Sequence, residues 1–300
     1  MVVRDRLGGG TAAALACGVT LTVGLLATGC SPSGAAAEDH APARRAVADR
    51  ATAGRAPAEG GAAERAVRSS ADALVRAGSS KVRTAMETAS GGTRVAIRGA
   101  GGYDYRRAVG QLRIARPETA GGDGPGQRPI TEVLTPEALY MKNRGAGVPA
   151  GKWVRVDTSS LADGNLVTGG ATDPLAAAEL LRGARRVTYE GEQRLDGVVV
   201  RHYSGTTDLA AAAGAAVAGV RPALTAAQKG FTTRAVPFDA YLDEAGRLRK
   251  VRHRFRFANG AAGGTPVTST TELYGFGAPV AVVLPEGRDI YTGKIATWRE

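Results

Sequence analysis

Cys30 ends the run Leu25-Leu26-Ala27-Thr28-Gly29-Cys30, behind an apolar stretch that is fronted by Arg4 and Arg6. A positive leader, an apolar run of small and aliphatic residues and small residues before a cysteine form a secretory signal of the lipoprotein kind. The chemistry that this spacing allows is attachment of a diacylglyceryl group to the Cys30 thiol. Cleavage then leaves Cys30 as the new N-terminus. Leu26, Ala27, Thr28 and Gly29 are the expected signal-peptidase recognition residues, with Ala27 standing where Leu is more usual. The competing readings are an ordinary signal peptide or a membrane-spanning anchor with an incidental cysteine. The run is short and interrupted by Gly and Thr for a span of about 20 residues. Each buried acyl CH₂ contributes about 0.8 kcal/mol and stable anchoring takes about two chains, so a diacylated cysteine needs no spanning helix. Cys17 lies inside the leader and leaves with it. The mature chain then holds one cysteine, which excludes a disulfide and a cysteine-based metal site.

Other chemistry is sparse. Of the three histidines, His40 lies near the leader, while His202 and His253 fall in strand-like stretches far apart in the chain. Without a nearby Cys or a His-x-His spacing they read as structural residues and not as metal ligands. There is no Gly-x-Ser-x-Gly elbow, no Walker loop and no His-Glu-x-x-His. The carboxylates read as scattered over turns and exposed faces, with no acid/base pair. Gly99-Ala100-Gly101-Gly102 precedes a strand, not a helix, and reads as a bulge or bend that curves a sheet. The expectation is a protein that is not an enzyme, with no cofactor and no metal. One charged pattern stands out. Lys250, Arg252, Arg254 and Arg256 alternate with Val251, His253, Phe255 and Phe257. Such a basic strand face suits contact with anionic headgroups or wall polymer; the alternative is a solvated outer face that discourages edge pairing.

The chain carries a net charge of +11, with 39 basic residues, of which only six are lysine. The Ala/Gly/Arg bias looks like that of a GC-rich genome, which weakens charge as evidence of function. An exported basic protein at a membrane meets anionic phospholipid and wall polymer, not nucleic acid. From Ser31 to about Ala63 hardly a large apolar residue occurs. Such a segment reads as a disordered tether, with an end-to-end distance of about 30 Å. The expected organisation is a signal peptide over 1–29, a lipidated Cys30 and tether over 30–63, a folded domain over 64–285 and a tail over 286–300 with no assigned role.

The elements that would carry the folded part are helices laid on a long antiparallel sheet. Apolar spacing predicts a helix over Glu64–Ala77, stopped by Gly78. Alternation predicts strands over Ser80–Ala89, Thr93–Arg98, Gly110–Arg116, Ile130–Thr135, Ala138–Asn143 and Lys152–Asp157. Asp173-Pro174-Leu175 begins a helix with an N-cap and a proline at its first position. Asp196-Gly197 marks a hairpin between Arg186–Arg194 and Val198–Thr206. Helix follows over Asp208–Ala218 and Thr225–Lys229, then strands over Val236–Leu242, Arg247–Phe257 and Pro266–Leu273.

These stretches resemble a known family. Asp173-Pro174-Leu175 through Leu180-Leu181, Gly191-Glu192, Asp196-Gly197-Val198 through His202-Tyr203, and Ala240-Tyr241-Leu242-Asp243-Glu244-Ala245-Gly246-Arg247 look like actinobacterial lipoproteins of the LppX/LprG type. Glu272-Leu273-Tyr274-Gly275 through Leu284-Pro285 adds to the likeness, which covers roughly residues 64–285. The resemblance implies the LolA-like fold: α+β, a strongly curved antiparallel half-barrel whose concave side is covered by helices. It also implies a lipid or glycolipid ligand in an apolar groove. The expected groove lining is Val82, Met86, Val95, Ile97, Leu112, Ile114, Met141, Val200, Phe238 and Phe255. The expected location is the outer face of the cytoplasmic membrane, as a monomer anchored through Cys30. The alternative is a tethered sensor of the RseB/MucB kind, with an envelope protein as its partner.

Overall fold

The computed structural model describes residues 55–90, 93–115, 128–145, 147–258 and 263–293. Cys30 and the recognition residues Leu26, Ala27, Thr28 and Gly29 lie outside the described residues, as does most of the expected tether.

The chain opens with two helices, α1 (Arg55–Arg68) and α2 (Ser70–Ala77). The single helix expected over Glu64–Ala77 is thus divided at Ser69. It also reaches back to Arg55, into the stretch read as tether. Arg68 explains part of this: it pairs with Glu64 one turn earlier and donates to the Ala184 carbonyl, which ties α1 to the sheet. Gly78 ends α2 at φ 85°, where its N–H reaches back to the Leu74 carbonyl.

Eleven strands then build one antiparallel sheet that is curved and not closed. They are β1 (Ser79–Ser90), β2 (Thr93–Asp104), β3 (Val109–Ala115), β4 (Ile130–Leu134), β5 (Ala138–Lys142), β6 (Trp153–Asp157), β7 (Ala184–Leu195), β8 (Val198–Asp208), β9 (Ala235–Leu242), β10 (Leu248–Phe257) and β11 (Thr265–Tyr274). The order is β6-β5-β4-β3-β2-β1-β11-β10-β9-β8-β7. The sheet is therefore two meanders, β1–β6 and β7–β11, joined where β1 pairs with β11. The α+β architecture expected from the sequence, a curved antiparallel sheet with helices over its inner face, is what the structure has.

Gly99 and Gly101 lie within β2, whose register with β1 and β3 is unbroken, so the glycine run makes no bulge. Its role is close approach. A Cβ on Gly101 would stand 1.9 Å from the Gln111 carbonyl oxygen. At the β7–β8 turn Asp196 and Gly197 both take positive φ, 49° and 80°, the conformation that a two-residue hairpin demands.

The short helices α3 (Pro174–Leu180), α4 (Leu209–Ala215) and α5 (Arg221–Ala227), with α2, cover the inner face of the sheet. Asp173 caps α3, accepting from the Leu175 and Ala176 N–H groups. Every residue of α3 is buried, because the helix is enclosed between the sheet and its neighbours. The described part of the C-terminal tail lies along the sheet edge. Ile290 bridges Trp153 of β6, the Tyr291 N–H donates to the Trp153 carbonyl at 2.8 Å, and Lys152 donates to the Arg288 carbonyl. This covers backbone groups that an edge strand would otherwise expose.

Candidate functional site

The inner face is defined by register. Leu273, Val82, Gly101, Leu112, Glu132, Met141 and Val154 are direct partners across seven adjacent strands, so they form one row. A second row runs Thr271, Thr84, Gly99, Ile114 and Ile130. On the other meander the same face carries Phe238, Val251, His253 and Phe255.

Of the ten expected groove residues, Val82, Met86, Leu112, Ile114, Met141, Phe238 and Phe255 join one buried cluster, and Ile97 packs against it half-buried. Val95 sits on the same face, half-buried and outside that cluster. Val200 does not belong with them. Its neighbour Arg201 faces inward opposite Leu242, so alternation puts Val200 on the outer face with His202 and Ser204. There it lines an open cleft of about 800 Å³ between the β7–β8 and β9–β10 turns, together with Val198, Glu244 and Arg247. Beneath the helical cover the inner side holds a cavity of about 30 Å³, bordered by Tyr103, Asn165, Asp173 and Val220.

The inner face carries polar groups that sequence reasoning missed. Glu132 is fully buried, and neither carboxylate oxygen has a hydrogen-bond partner. Burial pushes its carboxyl up to about 8, against the opposing pull of Arg144, whose Nη1 stands 3.8 Å away. The signal was present in the strand Ile130-Thr131-Glu132-Val133-Leu134: alternation puts Glu132 on the face of Ile130 and Leu134. The carboxylates are thus not all on turns and exposed faces, as the residue pattern had suggested. Tyr103 donates to Asp173 at 3.0 Å, and burial raises that carboxyl to about 6 despite the Ala176, Tyr103 and Leu175 hydrogen bonds that pull it down.

The two strand histidines stand on opposite faces. His253 is buried beside Phe238 and Phe255, and burial holds its imidazole down at about 3, neutral. His202 stacks on Tyr241 with ring centres 4.4 Å apart and bonds Asp239 at 3.1 Å.

The basic strand face is outer by register and half neutralised. Lys250 pairs with Glu272 at 2.9 Å, and Arg254 pairs with Asp239 at 2.6 Å. Arg252 and Arg256 have no ion pair among the described residues. Among the described residues no helix is long and apolar enough to cross a membrane.

No protein-family model and no curated protein sequence matches the chain. Solved structures similar to it include the lipoprotein LppX of Mycobacterium tuberculosis, at 11% identity and a TM-score of 0.46, covering 74% of this chain and 98% of that one. LprF of Mycobacterium bovis is similar at 16% identity and a TM-score of 0.39, covering 75% and 97%. A LolA-superfamily protein of Nitrosomonas europaea is similar at 11% identity and a TM-score of 0.31, covering 71% and 91%. The fold itself rests on the strand order and register given above.

Proposed function

We propose that the chain is an envelope lipoprotein, anchored through diacylated Cys30 on the outer face of the cytoplasmic membrane, that binds or carries lipid on the inner face of its sheet. The observation that supports this reading is the construction of that face. Its apolar rows are covered by four short helices and a long loop, not by a second sheet. A cover of small separate pieces, each with little buried area of its own, opens at lower cost than a sheet-on-sheet core. Apolar ligands bind in such clefts through buried area with few polar contacts. On the outer face Arg252 and Arg256, with Lys250 and Arg254 beside them, meet anionic headgroups.

The deciding experiment is native mass spectrometry of the full-length protein purified from membranes of a lipid-containing host. The expected result is a stoichiometric lipid adduct, recovered by organic extraction. Protein free of lipid in every preparation overturns the carrier reading. A Cys30→Ala variant is expected in the medium or unprocessed; one that is still membrane-bound after normal maturation overturns the anchor. A second reading, a tethered module that binds an envelope protein, draws on the open cleft near Val198 and Glu244. In-cell crosslinking from that cleft is expected to capture a defined protein if it holds.

A further inference from the structure

Glu132 sits in the middle of an otherwise apolar row, between Leu112 on β3 and Met141 on β5. Leaving a buried carboxyl without hydrogen bonds costs several kcal/mol, and an apolar residue of the same volume there would stabilise the fold. Arg144 does not close the gap. At 3.8 Å its guanidinium is beyond hydrogen-bond reach of Glu132. Its donors go instead to the carbonyls of Gly169 at 2.5 Å and Thr168 at 3.0 Å. Those carbonyls belong to the segment 161–172, which is folded around one side chain. Asp163 accepts from the Val167 and Thr168 N–H groups, at 2.8 and 2.7 Å, and from the Thr168 hydroxyl at 3.0 Å. The segment is thus a preformed strap, held at one end by Arg144 beside Glu132. The strap also buries Asn165 with its carbonyl oxygen unpartnered.

We propose that Glu132, with Arg144 beside it, is the polar anchor of the inner face and takes a neutral hydroxyl of an acylated polyol, and that segment 161–172 is the strap that moves aside to admit it. This rests on the lipid-carrier reading. The chemistry follows from the carboxyl's surroundings. Held neutral by burial, it offers one O–H donor and one carbonyl acceptor, and a hydroxyl matches both at once. A phosphate would bring a charge into an apolar row, opposite a group that itself loses a proton to become an anion. A bare ester lacks the donor. Arg144 then bridges the headgroup side of the ligand to the strap.

The test compares three probes on the full chain stripped of lipid: 1-monopalmitoylglycerol, 6-O-palmitoylglucose and methyl palmitate. The native protein is expected to bind a hydroxyl-bearing probe about tenfold more tightly than methyl palmitate, the value of one or two hydrogen bonds to a buried group. In Glu132→Met the preference falls to about one while methyl palmitate binding persists, and the melting temperature rises. That rise shows that the variant is folded and that the carboxyl serves binding, not stability. A preference for one hydroxyl probe over the other supports the anchor and tells a glycerol source from a sugar source. Equal binding of all three to the native chain, or an unchanged preference in Glu132→Met, overturns the anchor and leaves the carrier reading standing. If no probe binds, both readings fall.

Discussion

Two glutamates, each fully buried, sit in different regions and behave differently. Glu179 lies on α3 in the helical cover. It accepts from Arg182 through both oxygens, at 2.8 and 2.9 Å, and from the Val217 N–H at 3.0 Å. Arg182 in turn holds Asp72 of α2 at 2.6 Å, and that contact keeps the Asp72 carboxyl below its ordinary value. One ion-paired centre therefore joins α2, α3 and the connection after α4. Glu132, on the inner face, has no such partners. The contrast separates a carboxylate that the fold uses from one that the fold tolerates. Burial alone does not distinguish the two; the count of satisfied lone pairs does.

The largest expected effect comes from breaking the satisfied centre. Glu179→Ala leaves Arg182 in a poorly solvated place beside Asp72 and frees the Val217 N–H. A loss of about 3–5 kcal/mol is expected for removing one partner of a buried pair, read as a lower urea midpoint. Glu132→Met should move the midpoint the other way, by about 1–4 kcal/mol. If both substitutions destabilise alike, the distinction between the two regions is gone.

The same contrast appears in the pH dependence. Glu132 is raised from 4.5 to about 8 in the folded state, and Asp173 from 3.8 to about 6. The folded chain then binds more protons than the unfolded one, so stability falls as pH rises through those windows. His253 is lowered from 6.5 to about 3. Here the unfolded chain binds more protons, and stability falls as pH drops from 6.5 towards 3. The opposing slopes cancel near about pH 4, where stability peaks, and leave a net decline over about pH 4.5 to 6.5. Above that range Glu132 acts alone among these three, and Glu132→Met should flatten the decline between pH 6.5 and 8. A native urea midpoint that holds level from pH 6.5 to 8 contradicts the burial of a carboxyl without hydrogen bonds.

What could be read from the chain follows the range of the interactions. Asp173-Pro174 and Asp196-Gly197 were legible because a cap and a two-residue turn are local, and both appear as expected. Alternation located β1 and β9–β11 closely, since each has a buried and a solvated side, and β7 and β8 followed from the hairpin turn between them. Thr93–Arg98 fell short of β2, which runs on to Asp104, because glycines that allow close packing look like a break. The α1 residues before Glu64 carry few large apolar side chains, so periodicity had nothing to mark there. The placement of Val200 failed for a register reason. Three consecutive valines, Val198-Val199-Val200, give no alternation, and only the pairing of Arg201 with Leu242 decides the face. Glu132 was legible in its own strand, but its lack of partners depends on Arg144 and the strap, which are tertiary facts.

The outer face sets the smallest effect and a second contrast, between paired and unpaired cations on one strand. Exposed ion pairs such as Arg254 with Asp239 contribute less than about 1 kcal/mol to stability, so single alanine substitutions on this face should hardly move the urea midpoint. Attraction to an anionic membrane is worth about 1 kcal/mol per basic residue near the surface, or roughly fivefold in affinity. Arg252→Ala and Arg256→Ala together should therefore weaken binding to phosphatidylglycerol-containing vesicles by about 25-fold at low salt, and added salt should shrink the difference. Deleting a whole pair, Lys250→Ala with Glu272→Ala, leaves the net charge unchanged and should leave vesicle binding unchanged. If the neutral deletion weakens binding as much as the loss of two free arginines, the contact depends on local shape, and the paired and unpaired cations of β10 are not functionally distinct.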